Sequence, residues 1–235
     1  MTNRHIFRMT YYRNIRLFLS DGAEYAKNHR QARRCFRTSY TQIVNRRGTE
    51  FWTPDHENIN DFVPFYFSPV TSMAYTIHKG NVPLLTPEGQ ADGYASSGDL
   101  AFIVCNTDRI GQSELDFWFT DIACNSAFAP NFENNLSNLD SHIDWSLFDE
   151  TKGKAKIPEI GYNGVHWDFR SLDEPAKYKN RHRKRMAEFM VKDFLPFDLV
   201  DCIVVQNHDI KSHIDTWIAE SAFEIQVYVK PGCYF

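Results

Sequence analysis

The densest apolar block of the sequence is Asp61-Phe62-Val63-Pro64-Phe65-Tyr66-Phe67-Ser68-Pro69. Five of its nine residues are aromatic or β-branched, a composition that is typical of a β-strand. Pro64 has no backbone N–H to donate, which confines a proline to a sheet edge or a bulge. The block therefore predicts a strand in which Pro64 marks an edge or a bulge.

Shorter runs on both sides of this block predict the other elements. Alternating or β-branched runs predict strands at 6–9, 100–105, 115–120, 186–191, 202–206 and 223–229. Capping residues and helical spacing predict helices that begin at an N-cap Thr10, at 72–79 and at 208–222. Residues 24–60 are expected to form a long loop or short helices, and 127–177 a loop-rich region. Strands dominate, so we expect one α+β domain over residues 1–235 with a largely antiparallel sheet.

The composition excludes several classes of protein. Hydrophobic residues make up 43% of the 235 residues, with 11 glycines and 10 prolines, so the chain is neither disordered nor low-complexity. No apolar run approaches the roughly 20 residues that a membrane span needs, and the first residues lack a secretory signal. We therefore expect a soluble, cytoplasmic protein with no membrane association.

The cysteines and histidines form no disulfide or metal pattern. The five cysteines are an odd number without a CxxC pair, and Cys105 and Cys202 lie in apolar runs. Such cysteines are expected to be reduced and to pack as small hydrophobic residues. The nine histidines include no HExxH motif, and His208 and His213 lack the i, i+4 spacing of a helical metal pair. We expect no metal.

The basic residues are concentrated in two segments, although the net charge is −4. Seven lysines and arginines and no acid lie between Lys27 and Arg47, and six more lie between Lys177 and Arg185. One interpretation is a pair of solvated helix faces or loops. The other is a focused field for a polyanion, and aromatic residues within both segments favour a single strand with unstacked bases.

Glu188 is the one candidate catalytic residue that residue patterns offer. The chain has no Walker loop and no GxGxxG or GxSxG motif. Glu188 follows the second basic segment and lies within the apolar run Ala187-Glu188-Phe189-Met190-Val191. Either its carboxylate reaches solvent or pairs with Arg185, or it has a chemical role.

Two of these blocks together resemble motifs of a known family. Residues 61–69, followed by Ser72-Met73, resemble the DYVPFYF-P-SPM signature of the DarT family, and residues 187–191 resemble its catalytic-glutamate strand. Weaker matches follow the family's order at 7–15, 143–145, 168–170, 175–177 and 232–235. The resemblance covers almost the whole chain, and the two strand motifs are the specific ones.

The resemblance implies an ADP-ribosyltransferase. The expected fold is an α+β domain with a split, mostly antiparallel sheet, few helices and long functional loops, which holds NAD in the cleft. The expected reaction transfers ADP-ribose from NAD to a base in single-stranded DNA, most often thymine; related members modify guanine. The expected setting is a bacterial toxin–antitoxin or phage-defence system in which a monomeric toxin is countered by a macrodomain antitoxin similar to DarG.

The resemblance also assigns the catalytic residues. Glu188 would accept a hydrogen bond from a ribose hydroxyl and stabilise the oxocarbenium-like centre that forms when nicotinamide leaves. The arginine of the first basic segment falls at Arg46, with Arg47 as the neighbouring possibility because local alignment is loose. An arginine stays charged and is a poor base, so it would anchor a phosphate or stabilise negative charge on the base.

The remaining site residues follow from the same resemblance. The NAD ligands would be drawn from the opening strand and helix and from the region of the block, namely Arg8, Thr10, Tyr11, Asn14, Tyr66 and Met73. Tyr11 stands where many members have His, and Val70-Thr71-Ser72-Met73 replaces the family's Arg-Ser-Pro-Met. The candidates for DNA phosphates are Arg47, Arg170, Lys177, Lys179 and Arg181.

Other functions remain compatible with the sequence. An ADP-ribosyltransferase could act on guanosine, RNA or protein with the same residues. A non-enzymatic single-strand binder would use the basic and aromatic surface alone, without nicotinamide release. Glu188 within its full motif disfavours the binder, because binding does not need a carboxylate in an apolar strand.

Overall fold

The computed structural model describes residues 4–148, 155–164 and 180–235. Its strands are β1 (His5–Tyr11), β2 (Ala23–Tyr25), β3 (Phe62–Tyr66), β4 (Pro83–Leu85), β5 (Ala91–Tyr94), β6 (Leu100–Asn106), β7 (Phe117–Thr120), β8 (Phe132–Glu133), β9 (Lys156–Ile157), β10 (Tyr162–Asn163), β11 (Glu188–Lys192), β12 (Phe194–Pro196), β13 (Val200–Val205) and β14 (Gln226–Val229). Its α-helices are α1 (Asn14–Asp21), α2 (Thr41–Glu50), α3 (Ser72–His78), α4 (Thr107–Gln112), α5 (Leu139–His142), α6 (Arg181–Lys184) and α7 (His208–Ala219).

Eight of the strands form one sheet in the order β14-β13-β6-β1-β3-β11-β7-β8. All neighbours are antiparallel except β13 and β14, which run parallel and are connected through α7. A helix is the usual crossover between parallel strands, because a short turn cannot return the chain to the same end of the sheet. The structure therefore has the predicted α+β fold with a mostly antiparallel sheet.

The sheet is split between β1 and β3. These strands share one register pair, Phe7 opposite Tyr66, whereas β1 pairs with β6 along its whole length from His5 to Tyr11. Pro64 has no register partner on β1 and pairs with Met190 of β11 on its other side. The predicted edge or bulge at Pro64 is thus the inner edge where the two half-sheets part.

Both faces of the central strands are covered. Ile6, Phe65 and Phe189 belong to the larger apolar core, which α1 and α7 also enter. Phe7 and Phe102 belong to a second core on the opposite face, with residues near the end of the chain. A strand that is buried on both faces is a continuous apolar run, which explains the composition of β6.

The local predictions agree with the structure in most elements and differ at three places. Thr10 is not an N-cap: β1 continues through it because its backbone pairs with Ala101 of β6. The first helix therefore begins at Asn14, and it ends at Gly22, whose φ of 72° is left-handed. The region 24–60 contains β2 and the ten-residue α2, and the final strand begins three residues later than predicted.

Two findings bear on the predicted class of protein. No helix within the described ranges is long and apolar enough to cross a membrane. All five cysteines are described and carry free thiols, and four of them are buried.

Candidate active site

A cavity of about 800 Å³ opens where the two half-sheets part. Its walls come from β1, α1, β2, the segment 32–40, α2, β3 and α3. All six predicted NAD ligands line it: Arg8, Thr10, Tyr11, Asn14, Tyr66 and Met73. This volume lies in the range that small-molecule sites usually have.

Glu188 lies at the start of β11 directly opposite Tyr66 of β3, and only 1% of its surface is exposed. Arg47 donates from both terminal nitrogens, Nη1 to Oε1 at 3.0 Å and Nη2 to Oε2 at 2.9 Å. The backbone N–H of Cys124 donates to Oε1 at 3.0 Å. The carboxylate is therefore fixed by a bidentate arginine and one main-chain donor.

The loop between β7 and β8 positions this carboxylate. The Glu188 N–H donates to Thr120 Oγ1 at 3.2 Å, and that hydroxyl donates to the carbonyl of Ile122 at 2.7 Å. Across the loop, Asn131 donates from its main-chain and side-chain nitrogens to the two carboxylate oxygens of Asp121. These bonds hold the Cys124 N–H against Glu188.

The structure places Arg47, and not Arg46, at the cleft. Arg47 has a 13% exposed side chain, whereas the Arg46 side chain is 55% exposed and pairs with Glu50 at 3.0 Å on the outer face of α2. Successive residues on an α-helix are separated by about 100°, so two adjacent arginines cannot face the same carboxylate. Of the two predicted positions for the arginine of the first basic segment, Arg47 is therefore the one that contacts Glu188, and the catalytic and phosphate-binding roles of the two arginines stay predictions.

The local charges set the protonation of the neighbouring groups. Burial alone would lower the pKa of Arg47, but the Glu188 carboxylate more than offsets this and raises it, so Arg47 stays charged. Burial and the Glu188 charge raise the pKa of Tyr66, although Arg47 and Arg8 act in the opposite direction. The same two causes raise the pKa of the Cys124 thiol. Tyr66 is therefore a neutral phenol, and the Cys124 thiol stays protonated.

Asn14 fixes the wall of the cavity. Its amide donates to Thr10 Oγ1 at 3.1 Å and to the Phe36 carbonyl at 2.9 Å, and its Oδ1 accepts from the Phe36 N–H at 2.9 Å. Tyr11 packs against Phe36, with ring centroids 4.8 Å apart. Asn14 thus uses its hydrogen-bonding groups on Thr10 and on the segment 32–40, and it shapes the cavity through that segment.

Arg8 binds a carboxylate that the sequence analysis did not identify. Its Nε and Nη2 both contact Glu24 Oε1, at 2.7 and 2.6 Å. The Glu24 side chain is 4% exposed and lines the cavity from β2. Glu24 belongs to no motif, and the Cys124 contact is a backbone donor, so neither has a residue signature that the sequence could reveal.

Comparison with known proteins identifies the family. A family model described as "ssDNA thymidine ADP-ribosyltransferase, DarT" matches residues 7–235. The chain belongs to the DarT family. It is an ADP-ribosyltransferase family that acts on DNA, as the resemblance of the two strand motifs implied. A DNA ADP-ribosyl transferase from Escherichia coli is 23% identical over 232 residues, which are 98% of this chain and 93% of that protein.

Solved DarT structures share the fold. The Thermus sp. 2.9 DarT in complex with ADP-ribosylated ssDNA is 21% identical, with a TM-score of 0.74 over 98% of this chain and 96% of that one. The complex of the same enzyme with NAD+ is 19% identical, with a TM-score of 0.71 over 100% of this chain and 99% of that one. Thermosipho africanus DarTG in complex with ADP-ribose is 18% identical, with a TM-score of 0.65. The match covers 99% of this chain and 51% of that one. The split sheet is therefore the DarT fold.

The DNA candidates of this DarT domain are only partly described. Arg170, Lys177 and Lys179 lie outside the described residues. Arg181 begins α6, two residues after Lys179. In the same helix, the Arg183 guanidinium lies 3.8 Å from the ring centroid of Phe128, which is 54% exposed in the β7–β8 loop.

Arg185 of the same segment points inward. It is fully buried, and its Nε donates to the carbonyl of Leu147 at 2.9 Å. The expected alternative of a Glu188–Arg185 pair is therefore wrong, because Arg47 occupies both oxygens of Glu188. In the described part of this DarT domain, no group of three or more His, Cys, Asp or Glu side chains is arranged to hold a metal ion.

Proposed function

We propose that this chain transfers the ADP-ribose of NAD to the base of thymidine in single-stranded DNA, with Glu188 as the catalytic carboxylate. The observation that carries the proposal is the geometry of Glu188. It is a buried carboxylate at the start of β11, next to β3, and Arg47, which lines the nucleotide-sized cavity, holds both of its oxygens together with a main-chain N–H. The membership of the DarT family and the NAD+ complex of the Thermus enzyme support NAD as the substrate.

The first half of the reaction needs a negative group beside the ribose. The bond from the ribose carbon to the nicotinamide nitrogen breaks, and its electron pair leaves with the neutral nicotinamide. Positive charge then spreads over the ribose carbon and ring oxygen. Glu188 stabilises this charge and accepts a hydrogen bond from a ribose hydroxyl, which is the preorganised electrostatic stabilisation that enzymes use most effectively.

The second half joins the base to the ribose. The thymine ring nitrogen attacks the ribose carbon and releases its proton, for which Glu188 is the proposed acceptor. Arg47 remains charged, since the adjacent carboxylate raises its pKa. It therefore acts by holding Glu188 and by stabilising negative charge that develops on the base, and not as a base itself.

The remaining lining residues hold the nucleotide. Tyr66 is a neutral phenol that packs beside Glu188, so it can donate a hydrogen bond to the substrate. Thr10, Tyr11 and Met73 line the same cavity, and Asn14 shapes it through the segment 32–40. Arg8 lines the cavity as an ion pair with Glu24.

The DNA strand is proposed to cross α6 and the β7–β8 loop. Arg181 and Arg183 offer positive charge there, and Phe128 offers an exposed ring. Arg170, Lys177 and Lys179 stay candidates from sequence alone. Phosphate contacts by arginine and base contacts by aromatic rings are the usual basis of single-strand binding.

A macrodomain antitoxin is the proposed partner of the chain. The Thermosipho relative is named DarTG, and the present chain spans about half of it, which supports a toxin–antitoxin setting. The antitoxin would remove the modification. We place a monomeric enzyme in the bacterial cytoplasm, where NAD and single-stranded DNA are both present.

Mass spectrometry of modified oligonucleotides tests the proposal. The purified chain is incubated with NAD and two single-stranded oligonucleotides that differ only in one thymidine replaced by deoxycytidine, with matched RNA and protein pools alongside. The expected result is a mass gain of one ADP-ribose on the thymidine oligonucleotide alone, absent in Glu188→Gln. Modification of guanosine, RNA or protein would reassign the target, and NAD-independent binding without any mass gain would support a plain binder.

A further inference from the structure

Two arginine–glutamate ion pairs lie near Tyr66 at the cavity. One is Arg47 with Glu188, and the other is Arg8 with Glu24. Tyr66 is the register partner of Glu188, and it lines the same cavity as Arg47, Arg8 and Glu24. The charges of Glu188, Arg47 and Arg8 all act on the pKa of its phenol. The second pair therefore belongs to the same site as the first.

The position of the second pair places it near the nicotinamide. β1 lies two strands away from β11, about 10 Å at the usual strand spacing. If Glu188 acts on the bond between ribose and nicotinamide, one of these groups lies within reach of Arg8. This step depends on the proposed function.

An unpaired arginine at this place would oppose substrate binding. The nicotinamide ring of NAD carries a positive charge, and Arg8 has a 28% exposed side chain on the cavity wall. Two positive charges in a partly desolvated cleft repel each other more strongly than in water. Glu24 removes that repulsion, because its carboxylate contacts the Arg8 guanidinium directly.

Glu24 also has unused hydrogen-bonding capacity. Oε1 accepts a hydrogen bond from Arg8 Nε and lies 2.6 Å from Arg8 Nη2, whereas Oε2 is buried and has no hydrogen-bond partner among the described residues. A buried carboxylate oxygen without a donor costs free energy, so a donor from a bound molecule would complete the arrangement. The carboxamide N–H is the donor that NAD carries and ADP-ribose lacks.

We propose that Glu24 is a substrate-positioning residue that neutralises Arg8 beside the cationic nicotinamide and accepts a hydrogen bond from the carboxamide N–H of NAD. It distinguishes intact NAD from ADP-ribose, which has no nicotinamide. Its role differs from that of Glu188, which acts on the bond that breaks.

The test compares the binding of NAD and ADP-ribose by calorimetry without DNA. For Glu24→Gln, we expect the dissociation constant for NAD to rise about tenfold and that for ADP-ribose to change less than about twofold. Equal weakening of both ligands, or no weakening of either, would overturn the proposal. A parent chain that does not bind NAD would instead reject the proposed function, so the two failures are distinguishable.

Asp201→Asn is the matched control. Asp201 is also partly buried, pairs with Arg109 at 2.6 Å and has a buried Oδ2 without a hydrogen-bond partner in the described part of the chain. It does not line the cavity. We expect this variant to lower the melting temperature without changing the ratio of the two dissociation constants, which separates a structural role from a positioning role.

Glu24→Asp keeps the proposal testable if Glu24→Gln does not fold. It retains the charge opposite Arg8 but withdraws the carboxylate by one methylene group. We expect it to fold, to weaken NAD binding by about threefold and to leave ADP-ribose binding unchanged. Parental NAD binding in a folded Glu24→Asp would overturn the hydrogen bond to the nicotinamide half.

Discussion

The two basic segments, Lys27–Arg47 and Lys177–Arg185, are alike in sequence and different in the structure. Each sends one arginine inward: Arg47 reaches the Glu188 carboxylate, and Arg185 reaches the main-chain carbonyl of Leu147. Arg47 comes from α2, none of whose residues is buried, whereas Arg185 is itself fully buried just before β11.

The difference lies in the partner and in the packing around it. A bidentate bond to a carboxylate in a cleft fixes a group that has to meet a substrate. A bond to a main-chain carbonyl in the interior satisfies the backbone. We therefore expect the first segment to control activity with little effect on stability, and the buried arginine of the second to control stability with little effect on activity.

The largest effect on the transfer rate is expected at Glu188, the carboxylate that Arg47 of the first basic segment contacts. Glu188→Gln should lower the transfer rate by about a thousandfold, because a neutral amide cannot stabilise a positively charged ribose. Single-turnover transfer to an oligonucleotide measures it, with circular dichroism to verify the fold. A folded Glu188→Gln with more than about a tenth of the parental rate would show that Glu188 is not the catalytic carboxylate.

The next effect separates two adjacent arginines of the first segment. Arg47→Ala should lower the transfer rate by about a hundredfold, because Glu188 loses both guanidinium bonds. Arg46→Ala is the matched control and should stay within about twofold, since it removes only an exposed pair with Glu50. Equal losses in the two variants would contradict the placement of Arg47 at the cleft.

The buried arginine of the second segment should instead change stability. Arg185→Met should lower the free energy of unfolding by about 2 kcal/mol, because it leaves the buried Leu147 carbonyl without this donor. That corresponds to a melting temperature about 4–8 °C lower. Calorimetry measures it, with Lys184→Met as the control for an exposed neighbour that pairs with Asp144. An unchanged melting temperature would remove the contrast between the segments.

The smallest effect is expected on the exposed part of the second segment. Single-strand binding should weaken as salt rises from about 50 to 200 mM, and each phosphate contact should contribute about −0.7 to the logarithmic slope. Arg183→Ala should weaken binding about threefold and make the logarithmic salt slope less negative by about 0.7. Fluorescence anisotropy measures both quantities. Weaker binding with an unchanged slope would mean that Arg183 serves only to orient the ring of Phe128.

Local sequence accounted for much of the fold and singled out Glu188, the proposed catalytic glutamate. The helix over 72–79 and the strands at 61–69, 100–105 and 202–206 correspond closely to observed elements, because their apolar patterns are local. Thr10 was assigned wrongly, since pairing of β1 with β6 overrides its capping preference. Glu188 was found because its motif is specific and contiguous.

The rest of the site depended on contacts between distant residues. Arg46 and Arg47 are adjacent residues of the same type, so the sequence does not show which of them contacts Glu188. The orientation of α2 against β11 determines that it is Arg47. Glu24 is separated from Arg8 by a helix, and its significance follows only from their contact. The Cys124 donor is a backbone N–H, which every residue except proline has.

The sequence by itself determined the α+β fold class and predicted that Pro64 lies at a strand edge or bulge. It also contains the two motifs of the family, at 61–69 and 187–191. These properties are fixed by residue type and short-range spacing. Only the tertiary structure decided which arginine meets Glu188, that Arg185 is buried and that Glu24 joins the site. The physical reason is that charge pairing depends on a few ångströms of separation in a desolvated cleft, and chain neighbours do not specify such distances.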